Sequence, residues 1–447
     1  MKFLVAARTS ALLSLLFLAV YGSLNWLSSQ RSDVGTLYFE WERHIPFVPW
    51  MIVPYMSIDL FFIGAPFLCS NRAELRALSR RIIFAIVVAG LCFLLFPLRF
   101  AFERPHAEGW LGVVFDWFRS MDQPYNLLPS LHIALRTILA AIYVRHTRGL
   151  LRIVSHVWFS LVGISTVLTY QHHVLDVVGG FALAACCFYV ISESQTKLPV
   201  IPNQRIGSYY LFATLAAVAS AAALWPWGVL LFWPALALAI VASAYFGIGP
   251  GIYRKIEGRL PLSSKCVLGP VLFGQWLSLR YYQRQCRPWD EVLPGVWIGR
   301  KLNDREATEA VHRGVTAVLD LTAEFSEAKP FLAIRYLNVP ILDLTAPSQE
   351  QLHEMTAFIT EQSAHGIVYV HCKIGYSRSA AAIGAFLLAS GRAGSVEEAI
   401  AFLRQVRPSI VVRSEVHPAL EVFRQNLLAT ALRDQRVIQP PPTTKSS

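Results

Sequence analysis

Val368-Tyr369-Val370-His371-Cys372-Lys373-Ile374-Gly375-Tyr376-Ser377-Arg378-Ser379 is the stretch that decides the fold of the C-terminal part of this chain. An apolar, β-branched run leads into it, and the helix-forming run Ala380 to Leu388 leads out. Strand, tight loop and helix start in that order aim a cradle of backbone N–H groups, from Lys373, Ile374, Gly375, Tyr376 and Ser377, at one point. The helix dipole adds positive potential there, so the point suits a phosphate dianion. Cys372 sits at the base, where the same field lowers a thiol pKa and holds a thiolate ready. Arg378 offers a planar fork to two phosphate oxygens, which a Lys could not match. The Ser379 hydroxyl can hydrogen-bond the thiolate and help it leave again.

Working outward, the runs 295–299, 317–321, 335–342 and 367–370 read as strands with helical runs between and after them. Ser348-x-x-Gln351 and Ser395-x-x-Glu398 have capping-box spacing. Alternating strands and helices predict a soluble α/β domain over 290–432. A thiolate that attacks phosphate needs a proton donor for the departing alkoxide. Asp343, in Val339-Pro340-Ile341-Leu342-Asp343-Leu344, follows a strand 29 positions before Cys372 and is the favoured donor. Asp320, in Val318-Leu319-Asp320-Leu321, is the competitor, although a polar residue ending a central strand is more often structural.

The pattern H-C-x-x-G-x-x-R-S resembles the signature of the cysteine-dependent dual-specificity phosphatases. That resemblance implies phosphomonoester hydrolysis through a thiophosphate on Cys372, with Asp343 on the acid loop. Arg407-Pro408 matches the family's usual helix end and reads as structural. Members acting on phosphoinositides or phosphatidylglycerophosphate often carry Cys-Lys-x-Gly, so Lys373 points toward a phospholipid or inositol-lipid phosphate substrate.

Composition places a membrane around this domain. Of 447 residues 54% are hydrophobic and 15% charged, and the mean hydropathy is +0.44, too apolar for a soluble protein of this size. The net charge of +11 then suggests cytoplasmic loops or anionic lipid as partners and not nucleic acid, for which no motif is present. The seven cysteines lie mostly in apolar runs, and no metal-type Cys/His spacing occurs.

Apolar runs predict about eight spans, near 10–27, 49–69, 82–100, 131–144, 151–170, 174–191, 209–224 and 229–246, the last pair turning at Trp225-Pro226-Trp227. No small-x-small cleavage site follows Ala19, so the first span reads as a retained anchor. Arginines in 71–81 and 145–152, with Arg254, Lys255 and Arg259, alternate with less basic loops. The positive-inside rule then puts both termini and the α/β domain in the cytoplasm, in a bacterial inner membrane. The loops around Glu40, Arg104 and His172 fall on the far side. The segment 268–282 reads either as an interfacial helix or as a linker packed on the soluble domain.

Those far-side loops carry a second constellation: Glu103-Arg104-Pro105, Pro129-Ser130-Leu131-His132 and Gln171-His172-His173-Val174-Leu175-Asp176. At i,i+4 on a helix, Asp176 can orient His172, which can then attack phosphorus. His132 can protonate the leaving oxygen, while Arg104 and Ser130 hold phosphate oxygens. His173, three residues from Asp176, is an alternative nucleophile. This half resembles the type 2 phosphatidic acid phosphatase superfamily over roughly 45–195, and its inositol phosphorylceramide synthase-like branch more closely. The family pattern picks His172. It also carries a Lys where Pro97 stands, with Arg99 nearby, and an Arg where Thr166 stands. A diester or transferase substrate, with less charge, needs fewer cations.

The expected architecture is a multi-domain chain, an all-α polytopic bundle followed by a dual-specificity-phosphatase-like α/β domain. Its segments are an anchor (1–44), the phosphatidic acid phosphatase-like domain (45–195), a transmembrane hairpin (196–250), an interfacial linker (251–289), the phosphatase domain (290–432) and a disordered tail (433–447). Both mechanisms use side chains alone and call for neither metal nor other cofactor.

Overall fold

The computed structural model describes residues 3–192, 199–224 and 227–438, and the chain divides into two compact units, Met1–Ser194 and Gln195–Ser447. The first is helical: α1 (Phe3–Ser29), α2 (Ile52–Leu68), α3 (Arg72–Leu95), α4 (Gly109–Met121), α5 (Leu131–His146), α6 (Gly149–Leu168) and α7 (Val174–Val190). Leu13, Phe62, Ile82, Leu135, Phe159 and Leu183 meet in its core. The outward faces are apolar too, with Leu60 75% exposed, a pattern suited to lipid and not to water.

Among the described residues six helices are long and apolar enough to cross a bilayer: Phe3–Ser29, Pro49–Leu68, Arg72–Leu95, Gly149–Leu168, Gln204–Ala223 and Gly228–Ile248. The other two expected spans exist as shorter helices, α5 with 16 residues and α7 with 17. At about 1.5 Å per residue they fall short of a hydrocarbon core of about 30 Å. The expected loop at 71–81 is helical. Asn71 caps α3 by accepting from Glu74 N at 2.9 Å, and Arg81 reaches the Ile191 carbonyl at 2.9 Å. α4 lies in a stretch for which no element was expected.

The second unit opens with the hairpin α8 (Gln204–Ala223) and α9 (Phe232–Ser243), then α10 (Leu262–Val267) and α11 (Gly269–Tyr282). Residues 225 and 226 of the expected turn lie outside the described residues. The strands β1 (Trp289–Leu293), β2 (Val296–Arg300), β3 (Val315–Thr322), β4 (Arg335–Ile341) and β5 (Ile367–Cys372) form one sheet in the order β1-β2-β5-β3-β4. The inner strands are parallel and β1 runs antiparallel at the edge. Only β1 was unexpected: Asp290 and Glu291 break its apolar pattern, which an edge strand tolerates.

The inner strands β2, β5 and β3 are buried on both faces, as their continuous apolar runs require. Ile298, Leu319 and Val370 face α13 (Gln349–Ser363), α14 (Ser377–Ala389), α15 (Val396–Val406) and α16 (Val416–Ile438). Trp297, Val318 and Tyr369 face the opposite side with Phe331 and α12 (Asp304–His312). The box at α13 forms, with Gln351 N to Ser348 Oγ at 3.2 Å and Ser348 N to Gln351 Oε1 at 2.9 Å. At α15 Ser395 caps Glu398 N, but the Glu398 carboxylate takes Gly394 N instead of closing the box. α16 continues helically past Arg433 to Ile438, against the expected disorder there; 439–447 lie outside the described residues.

Lys255, counted above among the loop cations, is inside the fold. Its ammonium pairs with the Asp320 carboxylate and donates to Thr322 O at 2.9 Å. Tyr336 also donates to Asp320, at 2.8 Å. Removing one partner of a buried pair strands the other, at about 3–5 kcal/mol. Lys255→Met is therefore expected to lower the melting temperature of the detergent-solubilised chain by several degrees, and Lys255→Met with Asp320→Leu to recover part of it.

Candidate active sites

β5 ends at Cys372, and the loop turns through Gly375 into α14. Gly375 has φ of +76° and lies where a Cβ would stand 2.4 Å from the Gly299 carbonyl, so both conformation and space demand glycine. Burial by itself would raise the Cys372 thiol. The Arg378 charge, the Ser379 hydroxyl and the N–H groups of Ser379 and Ile374 outweigh it and hold the thiol below its ordinary value. Ser377 turns outward, its Oγ accepting from Arg413 N at 3.1 Å.

Arg378 is aimed by residues that no local motif revealed. Its Nη2 and Nη1 bind the Glu324 carboxylate at 2.7 and 3.1 Å, both side chains buried, and Nη1 also donates to Ile341 O at 2.9 Å. The fork is fixed while its Nε is left buried and unpartnered. Arg407 supports the loop from behind: Nη1 binds Asp290 at 2.5 Å, and Nη2 donates to Ile374 O at 3.2 Å.

Asp343 sits at the rim with 29% of its side chain exposed, 3.2 Å from Lys373 Nζ and 3.4 Å from Arg378 Nη2. Burial favours its neutral form, but Arg378 and Lys373, with hydrogen bonds from Lys373 and the Leu344 N–H, hold the carboxyl below the usual range. Asp320 faces Lys255 and Tyr336 instead, so the two candidates separate by geometry. Lys373 also donates to Gln275 on α11 at 2.9 Å.

Asp320, Glu327 and His371 bring ligand-type atoms within 4.8 Å of one another. Lys255 pairs with Asp320, Lys301 Nζ lies 3.6 Å from Glu327, and His371 Nε2 lies 2.8 Å from Glu327. Ammonium groups thus balance these carboxylates, and the donor set fits a salt network better than a cation. The helix over 268–282 carries a feature of each expected reading. Leu279 packs on Phe325 and Ile374, while Phe273, Trp276, Leu277 and Tyr281 stay exposed along one face.

In the helical unit, His172 and His173 precede α7, so the expected shared helix face with Asp176 is corrected: the cap turn brings them together. Asp176 Oδ2 accepts from His173 N at 2.8 Å and lies 3.6 Å from His172 Nδ1. His173 has both ring nitrogens engaged, Nδ1 with Glu42 at 2.9 Å and Nε2 with Ala101 N at 3.1 Å. The Thr166 carbonyl accepts from His172 N at 3.0 Å, and the Thr166 hydroxyl bonds Gly163 O at 2.8 Å. Arg99 is exposed.

Ser130 caps α5 through Ile133 N at 3.3 Å, and its own N–H holds the Asp176 carbonyl at 2.9 Å. His132 stacks on Tyr55 at 4.3 Å and lies within electrostatic reach of His172 and Arg136. Arg104 lies within reach of Asp122, Tyr55 and Tyr21. His132 Nε2, His172 Nδ1 and Arg104 Nε are buried without hydrogen-bond partners. Asp122 was missed. It accepts from Tyr21 at 3.0 Å and Asn25 at 3.2 Å, and those two polar residues one turn apart on apolar α1 were the available signal.

Residues 42–190 match the PAP2 superfamily model, and residues 296–426 match the model for the catalytic domain of dual specificity phosphatases. Mouse dual specificity protein phosphatase 12 is 32% identical over 139 residues, 30% of this chain and 40% of the relative. Mouse phosphatidylglycerophosphatase and protein-tyrosine phosphatase 1 is 33% identical over 103 residues, 23% of this chain and 53% of the relative. The chain thus spans about half or less of the length of these relatives. The crystal structure of PTPMT1 is similar at 25% identity and a TM-score of 0.30, covering 32% of this chain and 99% of that one.

Proposed function

We propose, from a chain that carries a PAP2 superfamily domain and a dual specificity phosphatase catalytic domain, a bifunctional integral membrane phosphatase/phosphotransferase acting on lipid-linked phosphate. The observation that carries the reading is the convergence of Cys372, Arg378, Ser379 and Asp343 on one loop, in the same compact unit as the membrane-type helices α8 and α9.

The Cys372 thiolate attacks phosphorus, the P–O bond to the leaving group breaks, and Asp343 gives that oxygen its proton. Water then cleaves the thiophosphate, with Asp343 returning as base and Ser379 stabilising the departing thiolate. Asp343 is ionised beside Lys373 and Arg378 in the empty site. An arriving dianion takes over Arg378 and opposes the carboxylate charge, which drives the carboxyl toward its acid form. In the helical unit His172 attacks phosphorus as the P–O bond to the leaving group breaks, Asp176 steadies the imidazolium, His132 protonates the leaving oxygen, and Arg104 and Ser130 hold the phosphate. Water or an acceptor hydroxyl, giving its proton to His132, then breaks the P–N bond and frees His172. With His173 engaged by Glu42, His172 is the nucleophile this arrangement favours. Loop charges would put this site across the bilayer from Cys372.

Membrane helices in the chain raise the effective concentration of a lipid substrate at the Cys372 site. The relative named for both phosphatidylglycerophosphatase and protein-tyrosine phosphatase activity keeps both substrate classes in view. Full-length protein in vesicles is expected to release phosphate from a lipid phosphomonoester with kcat/KM about tenfold or more above that for a phosphotyrosine peptide. Preference for the peptide would overturn the lipid assignment. A second reading, a membrane-anchored protein phosphatase with a non-catalytic helical half, is favoured by Pro97 and Thr166 standing where the family pattern has cations.

A further inference from the structure

The acid loop is held from outside the catalytic domain. Tyr245, where the helix following α9 widens, donates its hydroxyl to the Asp343 carbonyl at 2.8 Å. Asn203, the cap of α8, donates Nδ2 to the Leu344 carbonyl at 2.8 Å. The two holders are themselves joined, Asn203 N to Tyr245 O at 3.0 Å, and Tyr245 stacks on Tyr210 with centroids 5.5 Å apart. Leu344 has φ of +63°, a left-handed conformation that a branched side chain keeps only where its surroundings impose it. Those surroundings are the base of the apolar hairpin, about a hundred residues upstream.

The neighbouring contacts point the same way. Lys373 is held by Gln275, on the helix whose opposite face exposes Phe273, Trp276, Leu277 and Tyr281. That helix is continuous with the hairpin, with Trp233 Nε1 donating to Cys266 O at 2.9 Å and Gly269 lying against the Trp233 ring. Apolar helices that face a bilayer therefore grip both Asp343 and Lys373.

We infer that Asn203 and Tyr245 are positioning residues for Asp343, through which the membrane hairpin sets the phosphatase site for alkyl phosphates carried on lipid. The inference rests on the lipid-phosphatase reading above. An aryl oxide is stable enough to leave without a proton, whereas an alkoxide needs one, so the placement of Asp343 matters for alkyl esters. Aligning the carboxyl through its own and the next carbonyl is a preorganisation effect, felt in kcat more than in KM.

The test uses the full chain in phosphatidylcholine vesicles, carrying His172→Ala so that the Cys372 site alone reports, with Tyr245→Phe, Asn203→Ala, and each combined with Asp343→Asn. Substrates are a diacylglycerol phosphate in the vesicle, water-soluble glycerol phosphate, and p-nitrophenyl phosphate. Each single variant is expected to lower kcat/KM, which reports thiophosphate formation alone, about tenfold on both alkyl esters, to leave it within about twofold on the aryl ester, and to add nothing once Asp343→Asn is present. Equal losses on alkyl and aryl esters, no loss on either, or effects that add to Asp343→Asn would overturn the inference. The lipid reading is judged apart, by the preference of the His172→Ala parent for the vesicle lipid over glycerol phosphate. Equal kcat/KM there defeats that reading while the alkyl-to-aryl comparison still decides the roles of Asn203 and Tyr245.

Discussion

Replacing Cys372 with Ser is expected to lower phosphomonoester hydrolysis by the α/β domain on the order of 10⁴-fold, the scale on which enzymes lose an activated nucleophile. The environment that Arg378, Ser379 and the Ile374 and Ser379 N–H groups provide holds the thiol below its ordinary range and favours its anion. An alcohol starts too far above that range for the same groups to ionise it. The cradle itself is unchanged, so the variant should still bind substrate, and KM should move little while kcat collapses. The sign of the pH dependence follows from the same groups. Because the anion is the active form and its pKa is lowered, the acid limb of wild-type kcat/KM should lie below the pH at which an ordinary thiol ionises.

His172→Ala, measured in a Cys372→Ser background so that one site alone reports, is expected to abolish the residual cleavage or headgroup transfer by at least about 10³-fold. The adjacent His173 supplies the control. Its imidazole bridges Glu42 and the Ala101 N–H in a buried setting, so His173→Ala should lower the melting temperature first and take activity down only with the fold. Unchanged turnover in His172→Ala would show that the helical half is not catalytic, in line with Pro97 and Thr166 in place of two cations.

How much of this was legible in the sequence depended on contiguity. The Cys372–Ser379 loop declares itself because strand, turn and helix start are local, and one φ at Gly375 and one spacing to Arg378 fix the cradle. Asp343 was legible for the same reason, at a strand end. Glu324 and Gln275 were not: each acts on the loop from a distant stretch whose own residues carry no pattern. Arg407 read as structural, but its grip on Asp290 and the Ile374 carbonyl did not show. Lys255 looked like a loop cation and proved to be a buried counter-ion, since local hydropathy does not report a carboxylate arriving from β3. In the helical half the three motifs were readable. Their arrangement was read as one helix face, but the histidines sit ahead of the helix and the Asp176 cap brings them together. Glu42 and Asp122 lay outside any motif. Among elements, β1 escaped because Asp290 and Glu291 interrupt its short apolar run.

The central claim is that one chain carries two separate phosphorus-gripping centres. The most direct measurement is rapid acid and base quenching of full-length protein turning over radiolabelled lipid phosphate, followed by peptide mapping of the covalent label. The account predicts two labelled peptides, an acid-stable thiophosphate on Cys372 and an acid-labile, base-stable phosphoramidate on His172, each lost in its own variant and kept in the other. Label on a single peptide, or two labels that disappear together in Cys372→Ser, would contradict it.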